Sequence, residues 1–233
     1  MDLKAITSDE MYKIEENAEA NFGVRRMYMM ENAGHGLADF IKFKMDEMNT
    51  KIVDKKRIVA VCGGGNNGGD AMVCMRHLSY YPEAKYTVLL LVDPRDLRTE
   101  EARANWTIIK RLKSIESLWT DQMDQIKERI LDSDVLIDGI LGTGVSGGIR
   151  EPHSSAIDYI NKSGAYIISV DIPSGLDPNT GLVHDKCVRA NATVTFHRIK
   201  KGLLNSEKHS GQIHLEHIGI PREAETGILV NEA

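Results

Sequence analysis

Cysteine is scarce, with 3 residues in 233. Cys62, Cys74 and Cys187 include no Cys-x-x-Cys pair, which excludes a disulfide framework and a cysteine-built structural zinc site. Each reads as a small buried hydrophobe. Long apolar runs are missing as well: none approaches the ~20 residues of a membrane span. Met1-Asp2-Leu3-Lys4 carries no apolar signal core, so the expectation is a cytoplasmic protein with no membrane partner. A basic excess is also lacking. The 29 Lys and Arg stand against 34 Asp and Glu, a net charge of −5, so no nucleic acid is expected as a partner. Internal repeats and low-complexity stretches are absent, and no shift of composition marks a boundary. What remains is a 42% hydrophobic chain, too apolar for disorder and long enough to bury a full core without cross-links. It reads as one domain, 1–233, with 222–233 as a C-terminal tail or the start of a linker.

The first fifty residues predict helices. Thr7-Ser8-Asp9-Glu10 is a capping box with Thr7 as N-cap. From about 24 to 48, Met27, Met30, Ala33, Leu37 and Ile41 recur at helical spacing. Arg57-Ile-Val-Ala-Val-Cys62 then predicts a buried strand. Beyond it, strand-like runs at 86–92, 134–138, 166–171, 192–196 and 212–216 alternate with helix-like runs near 70–79, 99–112, 123–132 and 154–161. This alternation predicts an α/β fold: a doubly wound, mostly parallel sheet with helices on both faces.

In such a sheet, ligands sit beyond the carboxyl ends of the strands. The exits there carry Gly63-Gly64-Gly65-Asn66-Asn67-Gly68-Gly69-Asp70, then Asp93-Pro94. Next come Asp138 with Gly142-Thr143-Gly144-Val145-Ser146-Gly147-Gly148, then Asp171-Ile172-Pro173-Ser174-Gly175, and Lys200-Lys201-Gly202 after Phe196. Glycines and strand-end acids gathered on one edge predict a nucleotide-sized ligand. Gly63-x-Gly65-x-x-Gly68 fits the dinucleotide fingerprint, in which backbone N–H groups approach a phosphate. A tight turn without ligand is the plainer reading. Asp70 would repel phosphate and suits ribose hydroxyls, while Asn oxygens and carboxylates are hard ligands that suit a cation. The loop 142–148 offers backbone N–H groups for phosphate, or is merely flexible.

Four of these segments act as a set: Gly63 to Asp70, Leu141-Gly-Thr-Gly144, Ser169-Val-Asp-Ile-Pro-Ser-Gly175, and Thr195-Phe-x-x-x-Lys200. With Met29-Met-Glu-Asn-Ala-Gly34 on the N-terminal helix, they resemble the NAD(P)H-hydrate epimerases, the YjeF N-terminal domain family, from about residue 5 to 221. The resemblance implies a Rossmann-like three-layer domain. It implies an isomerase that interconverts the R and S forms of hydrated NADH and NADPH, which carry a hydroxyl at C6 of the reduced nicotinamide ring. A dehydratase partner then consumes the S epimer. By resemblance, Asn66, Asn67, Gly68, Gly69 and Asp70 bind substrate. So do Gly142, Thr143, Gly144, Val145, Ser146, Gly147 and Gly148, together with Asp171. Asn67, Asp138 and Ser174 match potassium ligands of the family, so K+ is the implied cofactor.

C6 of the hydrate is a hemiaminal carbon. Inverting it requires loss and re-addition of water, or ring opening and reclosure, and either route moves a proton on and off oxygen. Asp171 is the candidate acid–base group and Lys200 its electrostatic partner. Asp70 is the alternative base, and a solvated surface lysine is the alternative reading of Lys200. A homodimer is expected, with Met27, Met29 and Met30 as core residues first and a dimer face second. His214-x-x-His217 is a poor metal pair, because a strand sends the two rings to opposite faces. Two other readings stay open: a non-catalytic nucleotide- or RNA-binding scaffold of the same fold, and an NAD-dependent dehydrogenase with Asp93 on a ribose.

Overall fold

A computed structural model describes residues 5–47, 56–143 and 148–229. Helices α1 (Ser8–Phe22) and α2 (Arg26–Glu47) precede β1 (Lys56–Cys62), α3 (Asn66–Leu78), β2 (Ala84–Leu90), α4 (Glu100–Ile109) and β3 (Ile115–Trp119). Then follow α5 (Met123–Leu131), β4 (Val135–Gly139), α6 (His153–Lys162), β5 (Tyr166–Val170), β6 (Ala192–Phe196), the one-turn α7 (Glu207–Ser210) and β7 (Gln212–Glu216). The strands form one sheet in the order β3-β2-β1-β4-β5-β6-β7, and every neighbouring pair is parallel. Strand order reverses between β1 and β4, where Val61 stands beside Asp138 and Cys62 beside Gly139. That switch point opens a crevice at the carboxyl edge.

Side-chain alternation along β1 explains the three layers. Ile58, Ala60 and Cys62 join a core shared with Ile14 of α1, Leu37 of α2, Met72 of α3 and Trp106 of α4. Val59 and Val61 turn the other way, against Ile126 and Ile130 of α5 and Ile157 and Ile160 of α6. Both faces are covered, so the central strands need continuous apolar runs rather than alternation.

The capping box forms as expected: Thr7 Oγ1 accepts from Glu10 N at 3.1 Å, and Thr7 N donates to Glu10 Oε2 at 2.7 Å. At the other end of α1, Gly23 takes φ 70° and its N–H bonds Glu19 O at 3.2 Å. The sequence reading passed over β3. This edge strand pairs only with β2 and leaves Glu116 exposed and Ser117 half-buried, so it shows no apolar run. The residues expected to form a tail are packed as far as 229. Ala224 is fully buried, Asn17 Nδ2 donates to its carbonyl at 2.7 Å, and Arg198 Nε donates to Glu225 Oε1 at 2.7 Å. Among the described residues, no helix is long and apolar enough to cross a membrane.

Candidate active site

The helix expected near residue 70 begins at Asn66, so Gly68, Gly69 and Asp70 lie inside its first turns rather than in a loop. This changes the meaning of the glycines. A Cβ on Gly63 would stand 1.9 Å from Ile140 O, and one on Gly68 2.1 Å from Gly63 O. They allow β1, β4 and α3 to approach closely at the switch point, which side chains would forbid. Gly68 and Gly69 are buried in that packing and do not line the cavity. Asn66, Asn67 and Asp70 do.

The exits of β5 and β6 are built alike. Asp171 has φ 61°, and Ile172 N donates to Val170 O at 2.7 Å; His197 has φ 62°, and Arg198 N donates to Phe196 O at 2.7 Å. Each is a γ-turn centred on a positive φ, a strained form that costs about 1–3 kcal/mol and marks functional sites when the surroundings enforce it. Asp171 N donates to Val194 O at 2.7 Å, which fixes the turn to the neighbouring strand. Its Oδ1 accepts from Lys200 Nζ, from Thr195 Oγ1 at 3.1 Å and from Phe196 N at 3.2 Å. Oδ2 has no partner among the described residues. Lys200 is 1% exposed, and its ammonium also donates to Phe196 O at 3.0 Å. It is therefore a buried ion-pair partner, not the solvated lysine of the alternative reading.

Asp171 and Lys200 line a cavity of about 210 Å³. The sheet edge and α3 give one wall, with Asn66, Asn67, Asp70 and Thr143. The helices give another, with Met11, Tyr12 and Glu15 of α1 and Arg26, Met29 and Met30 of α2. Met29 and Met30 are thus buried core residues that also wall the site, not a dimer face. Asp70 is buried and accepts no hydrogen bond from a described residue. Burial, followed by the nearby Asp171 and Glu15, pushes its carboxyl well above the usual range. A buried acid with a raised pKa binds protons in the folded state, so stability falls as pH rises above the ordinary carboxylate pKa and on through the raised one. Asp70→Asn is therefore expected to raise stability at neutral pH by about 1 kcal/mol, while weakening binding of a hydroxyl-bearing ligand. Thermal melting beside ligand titration checks this; a lower melting point would contradict it.

Behind the cavity, Asp138 is fully buried. Its Oδ2 accepts from Ser169 Oγ at 2.8 Å and Ser174 N at 2.9 Å, and its Oδ1 from Ser174 Oγ at 2.5 Å and Ile140 N at 3.4 Å. Ser174 Oγ accepts from Leu141 N at 2.8 Å, and Asn67 Nδ2 donates to Leu141 O at 3.1 Å and Val170 O at 2.7 Å. Asn67, Asp138 and Ser174 thus meet around Leu141. Burial raises the Asp138 carboxyl, its hydrogen bonds lower it, and no basic side chain contributes. A buried carboxylate without a basic partner, beside the Ser174 hydroxyl and, through it, the Leu141 carbonyl, is chemistry that fits a small monovalent cation. Among the described residues, no cluster of three or more His, Cys, Asp and Glu is arranged for a metal.

Of the second loop, Thr143 lines the cavity. Gly142 lies against Asn67, since a Cβ there would be 2.6 Å from Asn67 Oδ1. Gly148 is exposed, away from the cavity lining. Gly144, Val145, Ser146 and Gly147 lie outside the described residues. Asp93, the ribose contact of the dehydrogenase reading, faces elsewhere: its carboxylate pairs with Arg95 at 2.7 Å, and these hydrogen bonds pull its pKa down to about 2. His197 is buried beside Glu225, and burial pulls it down to about 4, so it stays neutral at pH 7. Sequence reasoning missed α1 as a wall. Its signal was present in Ser8, Tyr12 and Glu15, which share a helical face next to the buried Met11 and Ile14.

An all-parallel, three-layer α/β domain with a strained acid, a buried lysine and a buried Asp138 cluster around its switch point has the build of a small-molecule enzyme site. Residues 27–202 match the family described as YjeF-related protein N-terminus, and the chain belongs to that family. It is 44% identical over 226 residues to a protein of Nitrosopumilus maritimus named NAD(P)H-hydrate epimerase, covering 96% of this chain and 99% of that one. It is 42% identical over 228 residues to the bifunctional NAD(P)H-hydrate repair enzyme Nnr of Pyrobaculum aerophilum, covering 96% of this chain but 43% of that protein. The crystal structure of yeast ynu0 shares the fold, with a TM-score of 0.83 at 23% identity over 99% of this chain and 97% of that one.

Proposed function

We infer that this chain is an NAD(P)H-hydrate epimerase, interconverting the R and S hydrates at C6 of the reduced nicotinamide ring. The observation that carries this reading is Asp171 on the cavity lining, its Oδ1 held by Lys200, Thr195 and Phe196 and its Oδ2 without a partner among the described residues. Full-length similarity to an epimerase supports it. Asp171 exchanges a proton with the C6 hydroxyl or the water that replaces it, and Lys200 holds the carboxylate in place and balances its charge. Asp70 and Asn66 bind the hydroxyl-bearing part of the substrate, with the 142–148 loop beside them. Retention of these groups speaks against a non-catalytic scaffold.

In solution a potassium ion is held by Asn67, Asp138 and Ser174. It neutralises Asp138 and fixes Leu141 and the strand exit that carries Asp171. The uncompensated burial of Asp138 supports this. Melting in potassium chloride is expected to exceed melting in choline chloride at equal ionic strength; equal melting would overturn the ion.

The S epimer passes to a dehydratase, consistent with longer, bifunctional repair enzymes among the relatives. Three free, buried thiols suit the reducing cytoplasm. The reading includes a homodimer, supported by exposed rings of Tyr12, Phe22 and Tyr28 on α1 and α2 and checked by sedimentation.

A dehydratase that accepts only the S hydrate tests the function. Acting on an R and S mixture it should stall with the R form unspent. Adding this chain should carry recovery of reduced cofactor to completion, and an unchanged plateau would refute the assignment.

A further inference from the structure

α1 lies outside the segment that matches the family, yet its register against the site is fixed. Ile6, one residue before its N-cap, pairs with Lys200: Ile6 N donates to Ile199 O at 2.9 Å, and Lys201 N donates to Ile6 O at 2.8 Å. Ser8 N donates to Asn179 Oδ1 at 2.8 Å. The helix is thus tied to the strand exit that carries the buried lysine, and Glu15, two turns along, reaches the cavity. Glu15 accepts no hydrogen bond from a described residue. Its ion-pair contact is with Arg26, whose Nη1 stands 3.8 Å from Oε2, beyond hydrogen-bond range, and the Lys200 ammonium also acts on it through space. A carboxyl held this loosely, on a cavity wall, is free to meet a ligand.

Inverting a hemiaminal by water loss and return needs chemistry on both faces of the ring. The hydroxyl leaves from one face and water arrives on the other. Asp171 belongs to the sheet edge, and Glu15 belongs to the helical wall.

We propose that Glu15 is the second acid–base group, working on the ring face turned away from Asp171. This rests on the epimerase reading. In one direction, protonated Glu15 gives its proton to the C6 hydroxyl. The C6–O bond breaks with its electron pair leaving on water, and the N1 lone pair forms the C6=N1 bond. A water from solvent then adds to C6 from the other face, the π pair returns to N1, and Asp171 takes the proton. The reverse direction exchanges the two roles.

The charges around Glu15 agree with this. Burial raises its pKa, Lys200 and Arg26 lower it, and Asp171 raises it. Asp70 and Glu101 also line the cavity, Tyr12 lies beside it under the Arg26 guanidinium, and Glu19 shares Arg26 at 3.3 Å. The net direction is upward, so Glu15 keeps its proton to a higher pH than a free carboxyl, and activity that needs the proton declines as pH rises.

Glu15→Gln is expected to lower kcat roughly 10²-fold, to leave NADP+ affinity unchanged and melting no lower than wild type, and to abolish the alkaline limb of the pH profile. Glu15→Asp should regain part of the rate and restore that limb. A Gln variant with wild-type kcat and both limbs, or with only a raised KM, overturns the proposal. If the wild-type chain itself fails to epimerise, the epimerase reading falls and this proposal falls with it.

Discussion

Asp171→Asn is expected to lower turnover by roughly 10²–10⁴-fold, the usual span for a general acid–base group. It is also expected to cost about 3–5 kcal/mol of stability, because it leaves a buried cation without its partner. Asn is the informative substitution. It tolerates the φ of 61° that most side chains resist, and its carbonyl oxygen can still accept from Thr195 Oγ1 and Phe196 N. What it removes is the charge opposite Lys200, a side chain 1% exposed. Loss of activity and loss of stability therefore have separate causes, and a double substitution separates them. Adding Lys200→Met should recover most of the melting temperature, since a buried ion pair replaced by apolar groups is often neutral. Activity should stay lost. If the single variant melts like wild type, Lys200 has another counter-charge in Asp70 or Glu15. If it also turns over normally, Asp171 is not the acid–base group.

Asp138→Ala is expected to be the most destabilising single change at the switch point, by about 3–5 kcal/mol. It would leave four donors without an acceptor: the Ser169 and Ser174 hydroxyls and the Ser174 and Ile140 amides. It would also open a cavity among residues fully shielded from water. Because Ser174 Oγ in turn accepts from Leu141 N, the loop after β4 should loosen as well. Any stabilisation by potassium should vanish in this variant. Denaturant unfolding in potassium and choline salts measures both effects. A variant within about 1 kcal/mol of wild type would mean the cluster is dispensable to the fold.

Much of this architecture was legible in the sequence, because the physics behind it is local. Thr7 and Glu10 announce a helix start by side-chain chemistry alone. The central strands announce themselves because burial on both faces demands unbroken apolar runs. Asp138 and Asp171 stood out because an acid ending such a run has no exposed position to explain it. What stayed hidden depends on contacts distant in sequence. β3 hides because an edge strand may keep Glu116 exposed. The glycines at 63 and 68 suggest phosphate by pattern, but their neighbours across the crevice show that backbone packing requires them. Lys200 gives no sign of burial until Ile6 pairs with it. Glu15 shares a helical face with Ser8 and Tyr12, but that polar face reads equally as solvent-exposed until Ile6 ties α1 to the strand exit. The part of the second loop at Gly144, Val145, Ser146 and Gly147 lies beyond the described residues.

The central claim is that this cavity inverts C6 of the nicotinamide hydrates. Pure R hydrate, incubated with the purified chain and followed by chromatography that resolves the epimers, tests it most directly. The account predicts conversion to the R and S equilibrium far faster than in buffer, from either epimer, with Asp171→Asn close to the buffer rate. Wild-type protein that leaves the R hydrate at the buffer rate, while folded and able to bind NADP+, would contradict it.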